Sequence, residues 1–493
     1  MTRIPFQFVL TIAACYGLWR LWRWVTRGAD QRIAAIVTAG FLLRMIVAQA
    51  LFWIAWLPLP IARSLQIGPG FWFFAVDGPG YLQYADFLSQ GDVRMFPSRV
   101  FVYVLTVFVA ALGGVASTAI VLNCAAFLGT CAVIIRIGRH RASAPVLVAL
   151  AAVAFGPGSI LWSLQPLKDT FFLFLATAMI GACFWWQEGA LTRRFAPPSP
   201  ASGRGAKLSF SRLREKVALS AAKGRMRVAC AVAMLVLTYA LAGIRWYFAV
   251  FIWLAWGIFG LLVALGARRK LSMLLASAVL FALLAFSVQL GARDELPGQL
   301  ILRRPAPAKQ LIAAQRGFAQ EQGKTTIKPG PAIAAVPPPR EEKLKTTIEP
   351  GPAVTAVPPP PPREEKMSQR IIAGVAATFL PHVVGEALGL VRVGGGRGLW
   401  LFAELDTLCF DAVLLFAIVY SIRARGRVTP LFVMLVLLFL MTAGPLLYVV
   451  NNFGTLFRLR QMLYLIAAIL PVTRARAAEE GASEAAGRQS GSR

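Results

Sequence analysis

The chain has 493 residues, 57% of them apolar and 15% charged, with a mean hydropathy of +0.64. Repeated apolar windows of about twenty residues are what a membrane-crossing helix requires, so the composition excludes a soluble globular protein and predicts an all-α polytopic membrane protein. The formal charge of +29 would suggest nucleic acid as partner in a soluble protein, but here Lys and Arg cluster between apolar runs and in the C-terminal tail, as the positive-inside bias expects, and no nucleic-acid partner is implied.

The N-terminal "MTRIPFQFVLTIAACYGLWRLWRW" has the charged start and apolar middle of a signal peptide. It lacks a small-residue cleavage site and runs into a Trp/Arg cluster, so it reads as a retained first helix or an interfacial one; full crossing of 7–25 is left open. Six basic anchors follow: "RLWRWVTRGADQR", "RIGRHR", the segment Arg193 to Arg227, "ARRK", "RARGR" and "TRARA". If all six face the cytoplasm, an even number of crossings separates each from the next. Spans then fall near 33–57, 118–136, 145–166, 170–187, 228–244, 247–266, 271–290, 399–421, 429–450 and 461–473, which with the first helix makes about ten or eleven. Two apolar stretches, Val100 to Val115 and Ile371 to Val391, would invert the charge pattern if they crossed. Both are therefore expected along the outer face as interfacial or re-entrant helices.

This divides the chain into an N-terminal transmembrane module (1–196) holding the first outer loop (58–117), a basic cytoplasmic linker (197–227), further transmembrane helices (228–290), a periplasmic loop (291–370), a C-terminal transmembrane module (371–473) and a disordered cytoplasmic tail (474–493). The linker "PPSPASGRGAKLSFSRLREKVALSAAKGRMR" has too little apolar period for a core and reads as disordered. Within the periplasmic loop, "KTTIKPGPAIAAVPPPREEK" (324–343) recurs as "KTTIEPGPAVTAVPPPPPREEK" (345–366), a Pro-rich duplication that favours an extended spacer, or a peptide-binding module.

The familiar catalytic signatures are missing: there is no GxxxxGK[ST], no GxGxxG after a strand and no HExxH. Two histidines, His140 and His382, make a histidine metal centre unexpected, and the six cysteines lie in apolar segments without CxxC spacing. What stands out is polar residues at outer helix ends. Asp77, in "FAVDGPGYLQYADFLSQG", is followed by Tyr81, Asp86 and Asp92. Lys168 and Asp169 occupy a turn in "GPGSILWSLQPLKDTFFLFL". Arg245 divides nearly forty apolar residues in "YALAGIRWYFAVFIW" and requires a hairpin there. "YVVNNFGTLFRLRQMLYL" carries Asn451, Asn452, Arg458 and Arg460. Outward-facing Arg runs against the topology bias and calls for an anionic partner; the phosphate of a lipid carrier suits a planar guanidinium. Plainer readings stand beside these. Asp77 serves equally as a turn former, Asp169 as an N-cap, and Arg245 and Arg458 as headgroup anchors. His382 and Glu386 fit an interfacial polar stripe, and Arg44 fits a partner inside the bundle.

The first-loop sequence "DGPGYLQYADFLSQG" resembles the first-loop motif of GT-C glycosyltransferases, in particular bacterial proteins similar to the protein O-mannosyltransferase and aminoarabinose-transferase group. "PGSILWSLQPLKD", a Pro/Ser/Trp span followed by an acid at the next outer turn, and the closing "NFGTLFRLR" resemble that superfamily too. Two departures are a lone Asp77 where a paired acid often stands, and no evident folded periplasmic domain at the C-terminus. The resemblance implies transfer of a sugar from a polyprenyl-phosphate donor to a glycan, lipid or protein acceptor at the periplasmic side of a bacterial inner membrane. Asp77 would be the general base or help hold a divalent cation. Asp169 would orient the acceptor or complete that cation site. Arg245 and Arg458 would stabilise the leaving phosphate, with Tyr81, Lys168, Asn452 and Arg460 as further substrate-binding candidates. A lipid-linked oligosaccharide polymerase or ligase, and a polyprenyl-lipid transporter or flippase, remain as alternatives.

Overall fold

The computed structural model describes residues 3–91, 98–191, 210–267, 270–293, 372, 374–376, 378–388, 397–424, 428–449 and 453–490. They are almost entirely helical. α1 (Arg3–Thr26) and α2 (Gln31–Trp56) form a hairpin whose turn uses Gly28 at φ 72° and Asp30, which caps α2 by accepting the Arg32 N–H at 2.8 Å. After a two-stranded hairpin, β1 (Gln66–Gly68) and β2 (Phe71–Trp72), come α3 (Asp77–Ser89) and α4 (Arg99–Leu112). α5 (Thr118–Ile137), α6 (Ala144–Phe155), the short α7 (Pro157–Leu161) and α8 (Asp169–Leu191) follow, then α9 (Phe210–Gly266) and α10 (Lys270–Gly291). The last elements are α11 (His382–Ala387), α12 (Arg397–Arg423), α13 (Pro430–Val449) and α14 (Phe453–Ser490). Among the described residues six helices are long and apolar enough to cross a membrane: α2, α5, α8, α9, α10 and α12. The large apolar side chains exposed along them, such as Ile46 on α2 and Leu271 on α10, fit lipid contact, and the chain is an all-α polytopic membrane protein.

The apolar stretch of α9 is 43 residues long, about 65 Å at helical rise and too long for one crossing. It breaks at Arg245 (φ −148°, ψ 83°), and the chain reverses there. Both halves then lie along α10. Arg227 of the first half meets Met273 near the start of α10, while Gly260 of the second half accepts a hydrogen bond from Ser277, 3.2 Å away. Trp253 stacks on Phe281 at 4.8 Å between them.

Side-chain contacts define two ends of the bundle. At one end, the Arg136 guanidinium lies 4.1 Å over Trp24, Arg476 donates to the Ile137 carbonyl at 3.0 Å and pairs with Glu188, and Glu188 also faces Arg139 at 3.9 Å. Arg227 bonds the Gly189 carbonyl, and Arg474 the Ala424 carbonyl at 3.2 Å. With Arg227 also against Met273, close to Lys270 at the start of α10, the described residues of the six basic segments therefore gather at the same end. At the other end Lys168 bonds Ser98, Ser98 reaches the Ile244 carbonyl at 3.4 Å, and Arg99 donates to the Leu290 carbonyl at 2.7 Å.

α1 runs beside α5 in the same direction for its whole length: a Cβ on Gly113, just before α5, would sit 3.6 Å from Gln7, while Trp24 meets Arg136. α4 behaves differently. Its start lies by Ile244 and Leu290, and the carbonyl of Gly113, just past its end, accepts from Thr118 at the start of α5 at 2.6 Å. Both ends of this 14-residue helix thus sit at the non-basic end, and it lies across that end.

Between α7 and α8 the backbone is irregular and buried, a costly arrangement unless the protein supplies partners. Asn123 donates to the carbonyls of Ser163 (2.9 Å) and Gln165 (2.7 Å), and Thr170 to that of Trp162 (3.4 Å). Where Gly156 and Pro157 end α6, Arg44, only 1% exposed, donates to the carbonyls of Val153 and Ala154, each at 2.7 Å, and to Ser159 Oγ at 3.0 Å. The expected partner for Arg44 inside the bundle is therefore a set of freed carbonyls rather than an acid.

Candidate functional site

Asp77 opens α3, and its position is set by the loop before it. Trp72 is buried and donates its indole N–H to the Leu51 carbonyl at 2.9 Å, which ties the loop to the end of α2. Gly70, at φ 81° with Phe52 against it, makes the β1–β2 turn, and Gln165 donates to its carbonyl at 3.3 Å. The stabilised irregular segment described above delivers Lys168 and Asp169 to the same place, the reversal of α9 delivers Arg245, and the first turns of α14 deliver Arg458.

These side chains form one ionic cluster. Arg458 stands between the two acids: its Nη1 contacts Asp77 Oδ2 at 2.5 Å, and its Nη2 and Nε contact Asp169 Oδ2 at 2.9 and 3.2 Å. Arg245 pairs with the other oxygen of Asp169, Oδ1. Exposure rises along the chain of charges. The Asp169 and Arg245 side chains are 3% and 6% exposed, Arg458 20% and Asp77 49%. Burial works against the charge of Arg458, but Asp169 and Asp77 outweigh it and hold the guanidinium ionised. Lys168 bonds the Ser98 hydroxyl and lies 5.8 Å from the Tyr81 ring, which packs edge-on against Phe101. Burial, with the nearby Asp77 carboxylate, pushes the Tyr81 phenol up to about 12, so it remains a neutral donor.

Among the described residues, the two carboxylates thus pair with two guanidinium groups, and the Lys168 ammonium lies near Asp169. Asp169, nearly inaccessible and held through both oxygens, is an anchor. Asp77 is engaged through Oδ2 by Arg458, and its half-exposed carboxylate is the acid a solute can reach. The Arg458 guanidinium occupies the place between the carboxylates where a bridging divalent cation would sit. Among the described residues no group of three or more His, Cys, Asp or Glu side chains could hold a metal ion.

Arg460 is not part of this cluster. Two residues along a helix point some 200° apart, so Arg458 and Arg460 cannot face one site. Arg460 is 1% exposed and turned into the bundle, where it pairs with Asp406 at 2.6 Å and donates to Thr407 Oγ1 at 2.8 Å. Asp406 Oδ1 in turn accepts the Gly158 N–H at 2.8 Å, clasping α7, α12 and α14 together. The sequence reading passed over Asp406, although an acid inside the apolar run "LWLFAELDTLCF" signals a buried partner. Asn452, with Asn451 and Asp92, lies outside the described residues, as do the side chains of His382 and Glu386. The Asp86 carboxylate accepts a hydrogen bond from the side-chain amide of Gln90, just past the end of its own helix, at 2.9 Å.

No known protein family, curated protein or solved structure matches the chain. The functional reading therefore rests on the cluster and on the bundle that holds it.

Proposed function

We propose that this protein is a membrane glycosyltransferase that moves a sugar from a polyprenyl-phosphate donor to a glycan, lipid or protein acceptor at the periplasmic face of a bacterial inner membrane. The observation that carries the reading is the joining of Asp77, Asp169, Arg245 and Arg458, drawn from four separate segments, at the end of the bundle opposite the described residues of the six basic segments. With the basic end cytoplasmic, the cluster faces the periplasm, α1 becomes an additional crossing and α4 an outer interfacial helix. The first-loop resemblance to GT-C enzymes points to the same chemistry.

In this mechanism the donor phosphate takes over Arg458 Nη1 and releases Asp77. The acceptor hydroxyl gives its proton to Asp77 as its oxygen bonds to the anomeric carbon. The bond from that carbon to the phosphate oxygen breaks, and polyprenyl phosphate leaves with the electron pair. Arg458 and Lys168 meet the growing negative charge, while Asp169 and Arg245 keep Arg458 in place. The lipid delivers the activated sugar, so no nucleotide-sugar domain is required.

The test uses the reconstituted full chain, a panel of radiolabelled undecaprenyl-phosphate sugars and native envelope acceptors. Asp77→Asn should insert and bind donor normally while transfer falls about 100- to 10,000-fold, the contribution of a general base. Wild-type transfer in Asp77→Asn, with loss only in Arg458→Lys, would replace this reading by the arginine-centred polymerase or ligase.

A further inference from the structure

The basic end carries a second feature that the proposed transfer chemistry does not use. A cavity of about 270 Å³ opens between the end of α1 and the end of α5, lined by Trp24, Val25, Arg27, Ala132, Ile135, Arg136 and His140. Two of the lining side chains are arginines and one is a histidine; none is acidic. The Arg136 guanidinium lies 4.1 Å over the Trp24 ring, which fixes it at the cavity wall. His140 is brought to the rim by a turn in which two successive non-glycine residues, Arg139 and His140, adopt φ of 54° and 60°. Two acids described at this end are committed elsewhere: Asp30 caps α2, and Glu188 pairs with Arg476 and faces Arg139.

We propose that this cavity binds the phosphate headgroup of an anionic glycerophospholipid from the leaflet at the basic end. The charge asks for an anion, and the neighbouring surface decides that the anion belongs to a lipid. Ile12, Tyr16 and Trp19 are exposed on α1 and, at spacings of four and three, share one face. Continued by the same spacing, that face reaches Arg23, whose guanidinium lies 5.2 Å over Trp19, and Arg27 follows in the turn just past the end of α1. An acyl chain lying along the apolar stripe places its headgroup at the arginines, an arrangement of aromatic and basic residues suited to the bilayer interface.

The experiment compares full-length protein purified in a zwitterionic detergent and supplied with phosphatidylglycerol, phosphatidylcholine or inorganic phosphate. Bound lipid is read by native mass spectrometry and protection by the thermal unfolding midpoint. Phosphatidylglycerol should stay bound and raise the midpoint, while phosphatidylcholine and phosphate should do neither. The double variant Arg27→Gln/Arg136→Gln should weaken phosphatidylglycerol binding about 25-fold, at about fivefold per interfacial arginine. Both side chains are exposed, so the variant should fold; if it does not, Arg27→Gln alone gives the fivefold test. Equal phosphatidylglycerol binding in wild type and variant overturns the proposal. So does inorganic phosphate that binds and protects as well as the lipid, since the site would then serve a soluble anion.

Discussion

Arg458 decides the character of the cluster, because among the described residues it is the side chain that pairs with both acids. A lysine at the same position carries the charge but not the fork, and can satisfy only one carboxylate at a time. Arg458→Lys should therefore retain the fold, with its position one-fifth exposed, and lower transfer at least about 100-fold, the loss typical of an electrostatic stabiliser of the leaving group. Asp169 should respond differently. Removing its charge leaves Arg245 and Arg458 facing each other over a buried amide, and breaking a buried pair costs about 3–5 kcal/mol. Asp169→Asn is expected to lower the thermal midpoint sharply in detergent, whereas Asp77→Asn, at the exposed end, should leave it near wild type. Equal midpoints for the two variants would mean that Asp169 is not the anchor the contacts describe.

At the scale of elements, the site is held by breaks in helices rather than by helices. α6 stops at Gly156–Pro157, α9 reverses at Arg245, and the backbone before α8 is irregular; at each place a polar side chain from elsewhere meets the freed groups. Gly158 shows how tight one of these joints is, since a Cβ there would lie 2.8 Å from the Asp406 carboxylate as well as meeting Gln461. Gly158→Ala should cost about 1–3 kcal/mol through overpacking, and it should lower transfer by displacing α14 and with it Arg458. Gly80, inside α3, has open space around its Cβ position, so Gly80→Ala should be neutral or stabilising by up to about 1 kcal/mol. The pair is to be measured by thermal unfolding in one detergent. A Gly158→Ala midpoint no lower than that of Gly80→Ala would remove the clasp from the account.

For the whole molecule, the separation of the basic segments from the Asp/Arg cluster gives a test of orientation. With the native cysteines replaced, Gly80→Cys should react with an impermeant maleimide added outside spheroplasts, and Gln31→Cys only after the membrane is opened. The reverse pattern would place the cluster in the cytoplasm and end the case for a periplasmic lipid-phosphate donor.

The sequence by itself determined the membrane class, the helical architecture, the six basic segments and the reversal at Arg245, because apolar length and charge are local properties that a single pass along the chain can read. It also singled out Asp77, Lys168, Asp169, Arg245 and Arg458 one at a time, as polar groups interrupting apolar surroundings. Only the tertiary structure decided that they belong together. Arg458 is 289 positions from Asp169 and 381 from Asp77, and no periodicity reports a contact across such distances. The same holds for the roles that changed. Arg460 looked equivalent to Arg458 until the helix turned it inward to Asp406, a residue whose partner lies 54 positions away. The anion that Arg245, Arg458 and Arg460 call for is, in the folded chain, first of all the chain's own carboxylates, because a guanidinium taken out of water needs hydrogen-bonding partners before any substrate arrives, and at these positions Asp77, Asp169 and Asp406 supply them.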